Sequence, residues 1–337
     1  MKKSPMKSLF TITMILSTIM SMTAISWLGV WMGLEINLLS FIPLMSYNTM
    51  SPMETSSIKY FIVQTIGSLT LITVFIISMI NKSNLFNSTI STIMAMAVIM
   101  KIGGVPFHFW LPEVMENLSW NNCMLIMTWQ KMAPMTALSY IQMNDFIMTT
   151  FISLSAMVGA ILGVNQISLR MLMAYSSINH IAWMMAAIMI NILTWVCYIM
   201  VYFLLVIMIT LMLKSYNVKT INELFLSHNS HKMNKIMMLT SILSLGGMPP
   251  MLGFLPKWMM IQELGSKSLI FILYILIITS AITLYFYLKI FISGSIIYFK
   301  ENSWNIENSD LTKIEVIYIY INSISILGIS CSMFMMF

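Results

Sequence analysis

Four ionisable side chains interrupt long apolar stretches of this chain, and their types point to proton transfer. They are Glu35, Lys101, Lys131 and Lys257. A charge at the centre of a membrane costs about 2.5–3.5 kcal/mol, so four together cost on the order of 10 kcal/mol, comparable with the net stability of a domain. Lysine can release its proton inside a protein, whereas arginine cannot. Because the buried charges are costly and because all three interior cations are lysines, we interpret the four residues as a row of groups that take up and release protons.

Structural roles are the alternative for these groups. Glu35 and one lysine could form a buried ion pair that fixes helix packing, although two lysines would then remain without a carboxylate. Lysines near the ends of spans can extend to the membrane surface, which suits Lys214 and Lys289 better than the interior lysines. Histidine titrates near neutral pH, so His108 and His180 could extend the relay, or could be ordinary hydrogen-bonded interior histidines.

Two of the lysines lie beside segments that interrupt a helix. Met100–Glu113 reads MKIGGVPFHFWLPE, and Leu245–Trp258 reads LGGMPPMLGFLPKW. Both contain Gly-Gly-x-Pro followed by a later Leu-Pro, and each carries one lysine. Proline lacks a backbone N–H, and in lipid such a break persists only where protein or water satisfies the freed carbonyls. Paired interrupted segments in two halves of a chain indicate a transporter built from repeats. Chance recurrence of GGxP in a chain rich in small residues is the alternative.

The composition identifies a polytopic membrane protein and excludes a soluble enzyme. The chain has 337 residues, of which 59% are hydrophobic and 8% charged, whereas soluble domains carry about 25% charged residues. The three cysteines, Cys123, Cys197 and Cys331, are isolated in apolar runs. They predict neither an iron–sulfur cluster nor a zinc site. The sequence contains no GxGxxG or P-loop motif, and no basic patch interleaved with aromatic residues that would indicate nucleic acid.

Apolar segments of about 20 residues predict an all-α protein with eleven membrane spans. The predicted spans are Leu9–Ile25, Trp27–Met45, Ile58–Ile80, Thr89–Trp110, Asn122–Gln142, Phe146–Val164, Leu169–Ile190, Thr194–Leu213, Ile236–Gln262, Ser268–Phe291 and Ile314–Met336. The polar connections include Ser46–Ser57, Pro112–Asn121 and Lys214–Lys235. We expect Glu113, in the second of these connections, to be a surface or interface charge.

The distribution of basic residues among the loops predicts the orientation in the membrane. With eleven spans, twelve cations fall on the face that carries the N-terminus: Lys2, Lys3, Lys7, Lys59, Arg170, Lys214, Lys219, Lys232, Lys235, Lys289, Lys300 and Lys313. The opposite face receives Lys82 and Lys267. By the positive-inside rule, the N-terminus is predicted on the negative side of the membrane and the C-terminus on the opposite side. If the membrane is the mitochondrial inner membrane, these are the matrix side and the intermembrane-space side.

Five segments together resemble the subunit 2 family of mitochondrial NADH:ubiquinone oxidoreductase (complex I), particularly its arthropod members. They are WMGLEINLLSFIPLM around Glu35, KIGGVPFHFWLPEV from Lys101, TWQKMAP around Lys131, YSSINHIAWMM around His180 and LGGMPPMLGFLPKW ending beside Lys257. The similarity runs along nearly the whole chain. This family is one of the antiporter-like subunits, which are similar to subunits of multisubunit cation/proton antiporters.

The resemblance implies a single membrane domain built from two inverted five-helix repeats, each with one discontinuous helix. The repeats are expected at residues 1–145 and 146–292, followed by a loop and the last span at 293–337. It also implies roles for individual residues. Glu35 would pair with Lys101, Lys131 would be the central lysine, and Lys257 would lie in the second broken helix and lead to the exit or to the next subunit. His108 and His180 would lie on the polar axis between them.

The resemblance further implies that FMN, iron–sulfur clusters and ubiquinone are held by partner subunits, with no cofactor and no metal on this chain. The expected partners are other membrane-arm subunits of complex I, antiporter-like ones included, and inner-membrane phospholipids such as cardiolipin. We therefore predict a subunit that conducts protons across the mitochondrial inner membrane, driven by redox chemistry elsewhere in the complex. The alternatives are a free-standing cation/proton antiporter and a purely structural membrane subunit.

Overall fold

The computed structural model describes residues 5–46, 51–80, 87–226 and 232–299. Regular structure within these ranges is helical, apart from an isolated antiparallel bridge between Ser168 and Thr220. The helices are α1 (Pro5–Thr23), α2 (Trp27–Ser46), α3 (Ser51–Ile80), α4 (Asn87–Ile102), α5 (Trp110–Asn117), α6 (Trp120–Met127), α7 (Trp129–Ser139), α8 (Asp145–Gly163), α9 (Leu169–Ile190), α10 (Ile192–Ser215), α11 (Ile221–Leu226), α12 (Lys232–Gly246), α13 (Phe254–Ser266) and α14 (Ile270–Phe299). The predicted all-α class is confirmed.

Seven of the described helices are long and apolar enough to cross a membrane, namely α1, α2, α3, α8, α9, α10 and α14. The predicted fifth and ninth spans correspond instead to pairs of shorter helices, α6 with α7 and α12 with α13. The predicted fourth span, Thr89–Trp110, contains α4 and a non-helical segment and ends where α5 begins. The eleventh predicted span, Ile314–Met336, lies outside the described residues. The total of eleven spans therefore stays a prediction.

The loop predicted at Pro112–Asn121 is wrong, because this stretch is largely helical. α5 covers Trp110–Asn117 and α6 begins at Trp120. Pro112 is the third residue of α5, in the first turn, where a backbone N–H has no acceptor within the helix and proline is tolerated. A residue interpreted as a helix breaker thus lies at a helix start.

Two other predicted connections contain helical residues. α3 begins at Ser51, inside the predicted loop Ser46–Ser57, and carries Glu54 in its first turn, where a carboxylate interacts favourably with the helix dipole. The predicted Lys214–Lys235 connection contains the short helix α11. In both places the polar residues that predicted a loop instead stabilise the start of a helix, Glu54 in α3 and Thr220 before α11.

The chain divides into two compact units, Met1–Ser155 and Ala156–Phe337, with the boundary inside α8. Unit 1 carries Glu35, Lys101, His108 and Lys131, and unit 2 carries His180 and Lys257. Each unit contains a helix that is interrupted by a seven-residue non-helical segment, between α4 and α5 in unit 1 and between α12 and α13 in unit 2. The proposed repeat boundaries at residues 145 and 292 stay a prediction.

Small residues let helices in each unit approach closely enough to enclose polar groups. In unit 1, a Cβ placed at Gly33 on α2 would lie 2.7 Å from the Ser21 Cβ on α1. In unit 2, a Cβ placed at Gly159 on α8 would lie 2.7 Å from the Asn179 backbone nitrogen on α9. Membrane helices that pack through small residues bring their backbones close together. The second contact helps to bury α9, the helix that carries His180.

Candidate functional site

The first helix break lies between α4 and α5. α4 ends at Ile102, seven non-helical residues follow, and α5 begins at Trp110. Gly103 has a φ of +85°, the left-handed conformation in which helices commonly end and which glycine adopts without a Cβ penalty. The N–H groups of Gly103 and Gly104 both donate to the Ile99 carbonyl at 3.0 Å. The two glycines therefore end the helix before the chain reaches the proline that was expected to break it.

The carbonyl groups freed at this break are satisfied by side chains of the same unit. The Trp110 indole N–H donates to the Met100 carbonyl at 3.2 Å, and the Gln64 amide on α3 donates to the Lys101 carbonyl at 3.0 Å. An unsatisfied carbonyl at this depth would cost several kcal/mol. The break is thus stabilised by protein donors, and Gln64 fixes the backbone of Lys101 from a neighbouring helix.

The Lys101 side chain is buried beside α3 and within electrostatic reach of Glu35. Lys101 is 5% exposed, and a Cβ placed at Gly67 would lie 3.1 Å from its Cγ, so the glycine makes room for the lysine stem. Glu35 on α2 is half-buried and interacts electrostatically with the Lys101 amine, although no N–O contact within 4 Å joins them. The expected Glu35–Lys101 relation is therefore a longer-range interaction in this structure.

Lys101 and Lys131 line one cavity in unit 1. Its polar lining also includes Asn37, Gln64 and Gln130. The cavity volume is about 20 Å³, and one water molecule requires about 10–15 Å³ together with two to four polar partners. The space between the two lysines thus has the size and the lining that suit water.

The Asn37 and Gln130 side chains bind each other at the edge of this cavity. Asn37 Nδ2 donates to Gln130 Oε1 at 2.9 Å, and Gln130 Nε2 donates to Asn37 Oδ1 at 3.1 Å. This reciprocal pair joins α2, which carries Glu35, to α7, which carries Lys131. It sets the distance between the helices on which the carboxylate and the central lysine stand.

Lys131 lies in the first turn of α7, just after an interruption at Thr128. The Thr128 N–H and hydroxyl both donate to the Met124 carbonyl, at 3.0 and 2.7 Å, while its backbone leaves the helical region. A threonine hydroxyl that bonds back to the preceding turn commonly bends a helix. Lys131 is 2% exposed, so this interruption positions its amine inside unit 1.

The second helix break lies in unit 2 and matches the first in length. α12 ends at Gly246, seven non-helical residues follow, and Gly247 has a φ of +82°. The Lys257 amine on α13 donates to the Gly246 carbonyl at 2.8 Å. Lys257 therefore folds back over the break and caps the end of α12, where a cation interacts favourably with the helix dipole.

The structure places the two candidate histidines in different surroundings. His108 lies in the first break, buried, with its Nδ1 3.3 Å from the Pro106 carbonyl. It does not line the cavity shared by Lys101 and Lys131. His180 lies on α9 in unit 2, where its Nδ1 is 2.8 Å from the Tyr198 hydroxyl.

The interpretation of Glu113 as a surface charge is confirmed. Its carboxylate is half exposed and lies 2.6 Å from the Lys59 amine, which ties α5 to α3. Among the described residues, no group of three or more His, Cys, Asp or Glu side chains is placed to hold a metal ion.

Sequence reasoning missed several residues that build these surroundings: Asn37, Gln64, Gln130 and Tyr198. A signal for the amides existed, because buried amides are costly unless they are hydrogen-bonded and all three stand in apolar helices. Asn37 is two residues from Glu35, and Gln130 precedes Lys131. Uncharged polar residues beside the interior charges would have been reasonable candidates.

Comparison with known families and proteins gives a consistent result. The family described as NADH:quinone oxidoreductase/Mrp antiporter, TM, matches residues 24–283. The chain is 42% identical over 335 residues to NADH-ubiquinone oxidoreductase chain 2 of Locusta migratoria, with 98% of this chain and 97% of the relative covered. It is also 42% identical to the protein of the same name from Anopheles gambiae, with 96% and 95% covered.

Solved structures share the fold at low sequence identity. A chain of respiratory complex I from Thermus thermophilus superposes with a TM-score of 0.85 at 19% identity, covering 97% of this chain and 79% of that one. A chain of the Mrp complex from Dietzia sp. DQ12-45-1b superposes with a TM-score of 0.76 at 13% identity, covering 96% and 75%. The fold is therefore found in both kinds of membrane complex.

Proposed function

We propose that this chain, which belongs to the NADH:quinone oxidoreductase/Mrp antiporter family of transmembrane proteins, is a proton-conducting membrane subunit of respiratory complex I. Relatives that match almost its whole length are named NADH-ubiquinone oxidoreductase chain 2. The chain is accordingly a subunit of NADH:ubiquinone reductase in the mitochondrial inner membrane. The proton-conducting role rests above all on the cavity that Lys101 and Lys131 share.

The proposed path starts at Glu35. A change of charge in a neighbouring subunit alters the attraction between Glu35 and Lys101, and the Lys101 amine then releases or binds a proton. Water in the shared cavity carries that proton to Lys131, since both amines line the same polar space. Lysine suits this role because its amine can exist in both protonation states inside a protein.

The proposed path continues from Lys131 to Lys257. Lys257 receives the proton after Lys131 and passes it to the exit or to the next subunit. His108 and His180 serve as intermediate carriers, because imidazole binds and releases protons near neutral pH. The burial of Lys257 beside a helix break supports its place in this row.

The redox chemistry belongs to partner subunits in this proposal. FMN, iron–sulfur clusters and ubiquinone are held there, and this chain contributes no redox group of its own. Its partners are other membrane-arm subunits, antiporter-like ones among them, and inner-membrane phospholipids such as cardiolipin. The excess of loop lysines on one face supports an N-terminus in the matrix and a C-terminus in the intermembrane space.

Replacement of Lys131 by methionine tests the function. Methionine is unbranched and only one atom shorter than lysine, but it cannot carry a proton. In the assembled complex, reconstituted in sealed vesicles, we expect fewer protons moved per NADH oxidised, while the complex still assembles. The matched control is Lys289→Met, the same change at an exposed position, which should leave the ratio unchanged.

Two results would contradict the proposal. An unchanged proton-to-NADH ratio in an assembled Lys131→Met complex would favour a structural role for the interior charges. Cation/proton exchange by the purified chain alone in liposomes would favour a free-standing antiporter.

A further inference from the structure

Unit 2 contains three buried tyrosines, two of which, Tyr198 and Tyr202, contact His180. Tyr198 and Tyr202 lie one turn apart on α10, and Tyr287 lies on α14; each is at most 2% exposed. The Tyr198 hydroxyl is 2.8 Å from His180 Nδ1, and the Tyr202 ring centroid is 4.8 Å from that of His180. Tyr202 is also near enough to both other tyrosines to interact with them electrostatically.

Tyr287 connects this cluster to the second helix break. A Cβ placed at Gly246 would lie 3.1 Å from Tyr287 Cδ2, so the tyrosine ring packs directly on the last residue of α12. The carbonyl of the same glycine accepts the hydrogen bond from the Lys257 amine at 2.8 Å. Lys257 and Tyr287 therefore both contact Gly246.

The hydroxyl groups are not required for packing alone. Phenylalanine would fill the same space, and a buried hydroxyl without a good hydrogen bond costs about 1–3 kcal/mol in proteins. The Tyr287 hydroxyl is buried beside the Ser176 side chain, but no hydrogen bond of good geometry joins the two. Tyr285, on the same helix, is 59% exposed and stays outside the cluster. Packing alone therefore does not account for the Tyr287 hydroxyl, nor for the Tyr198 hydroxyl that contacts His180.

We propose that Tyr287, Tyr202 and Tyr198 form a hydroxyl relay that carries protons between Lys257 and His180. This inference rests on the proposed proton-conducting function and assigns it additional residues. A phenolic hydroxyl both donates and accepts hydrogen bonds. A proton that binds its oxygen on one side can therefore be matched by release of the phenolic proton on the other.

The transfer balances without any redox partner. The Lys257 ammonium gives up one proton and becomes a neutral amine, with water as the carrier to the Tyr287 hydroxyl. Each tyrosine oxygen gains one proton and passes its own to the next group, so it ends neutral. His180 gains the last proton and becomes an imidazolium, and rotation of the hydroxyls restores the starting arrangement. The opposite direction uses the same steps in reverse.

Phenylalanine variants of the assembled complex test the relay. Tyr287→Phe and Tyr202→Phe remove one oxygen each and keep the ring, so we expect normal assembly. Each should lower the number of protons pumped per NADH oxidised by as much as Lys257→Met does. The double variant should lower it no further, because the groups act in series. The control is Tyr285→Phe, the same change two residues away on the exposed face of α14, which should leave the ratio unchanged.

A second measurement separates a relay from a structural role. If the hydroxyls carry protons, the phenylalanine variants should change the solvent deuterium isotope effect on proton release, which a mere loss of packing would not. Full proton pumping with an unchanged isotope effect in Tyr287→Phe and Tyr202→Phe, alongside a deficient Lys257→Met, would overturn the relay and leave the proposed function intact. Full pumping in Lys257→Met itself would overturn Lys257 as a proton carrier and the relay with it.

Discussion

The interior lysines of this chain differ in what holds them in place. Lys257 donates to a backbone carbonyl at a helix end, whereas Lys101 has its own carbonyl bound by Gln64 and its stem packed against Gly67. The Lys257 amine therefore has a hydrogen-bond acceptor. At Lys101 the backbone is held in place, and the side chain lines a cavity. Residues that look alike in sequence are therefore supported in physically different ways.

The amide pair between Asn37 and Gln130 gives a prediction at the scale of single residues. Asn37→Leu or Gln130→Leu alone leaves a polar amide without its partner, which we expect to cost about 1–3 kcal/mol of stability. The double variant should cost less than the sum, with a coupling of about 0.5–2 kcal/mol. Thermal unfolding of the assembled complex, measured for the unaltered protein, both single variants and the double variant, completes this double-mutant cycle.

The control for this cycle uses an amide elsewhere in unit 1. Gln142 is exposed, so Gln142→Leu combined with Asn37→Leu should show additive effects. Additive effects in the Asn37–Gln130 cycle as well would mean that the pair does not stabilise the contact between α2 and α7.

At the scale of helices, the two breaks solve one problem with different residues. Each has seven residues and begins with a glycine at a φ near +80°. The freed carbonyls are bound by a tryptophan and a glutamine in the first break and by a lysine in the second. The two breaks share their length and their opening glycine, while the side chains that stabilise them are particular to each unit.

At Gly253, the last residue of the second break, we expect the addition of a single methyl group to destabilise the protein strongly. A Cβ at Gly253 would lie 1.7 Å from the Ser244 carbonyl oxygen, so Gly253→Ala must displace the backbone of α12 or α13. We expect a loss of about 3 kcal/mol or more. Reduced thermal stability and reduced amounts of assembled complex would report it.

Gly265 on α13, the helix that begins just after Gly253, provides the matched control. A Cβ there has nothing within 4 Å, and alanine is favoured over glycine within a helix by up to about 1 kcal/mol. Gly265→Ala should therefore be neutral or slightly stabilising. Equal stability of the two variants would show that the segment can relax around the added methyl group.

The short helix α11 gives a prediction about pH. Its start is a capping box, in which the Glu223 N–H donates to the Thr220 hydroxyl while the Glu223 carboxylate accepts from the backbone N–H groups of Lys219 and Thr220. The hydrogen bond from the Lys219 N–H is the main reason that the pKa of Glu223 is lowered. Burial acts against it, and the hydrogen bonds from Thr220 add to the lowering. The carboxylate therefore stabilises the folded cap above the usual carboxyl pKa, and this stabilisation is lost as pH falls through the lowered value.

Hydrogen exchange of residues 214–226, corrected for the intrinsic pH dependence, tests this cap. Protection should fall as the solution becomes acidic, and Glu223→Gln should exchange several-fold faster at neutral pH with little further change on acidification. Glu263→Gln, at another exposed carboxylate, should behave as the unaltered protein does. A cap that keeps its protection in Glu223→Gln would show that the carboxylate does not hold α11.

At the scale of the whole molecule, the asymmetry of loop charge predicts which face each connection occupies. Ser215 follows Lys214, at the end of α10, and Ser266 precedes Lys267, at the end of α13; both are exposed. In a background without the native cysteines, Ser215→Cys should react with an impermeant thiol reagent only from the matrix side. Ser266→Cys should react only from the intermembrane-space side.

Inverted vesicles and mitoplasts expose the two faces separately. Reaction of both cysteines from one side, or from the reverse sides, would contradict the orientation derived from the lysines. Because both positions lie in unit 2, the result depends on the direction of α12 and α13 through the membrane and not on the number of spans elsewhere.

The sequence by itself determined the kind of molecule and where two of its helices are interrupted. Apolar segments reveal a membrane protein because lipid tolerates few charges, and paired glycines and prolines reveal breaks because their backbone preferences are local. The four interior charges stood out for the same reason: each is costly wherever the chain folds. Local chemistry misled where it was ambiguous, as at Pro112, since a proline that interrupts a helix also suits its first turn.

Only the tertiary structure decided which groups surround those charges. Asn37 and Gln130 are 93 residues apart, and Gln64 lies 37 residues from the carbonyl that it binds. Nothing in the local sequence relates such positions, because their distance depends on how helices pack and on which glycines let them approach. Tyr287 meets Gly246 for the same reason: the packing of α14 on α12, which no local pattern shows, placed a buried tyrosine ring against the glycine whose carbonyl accepts from Lys257.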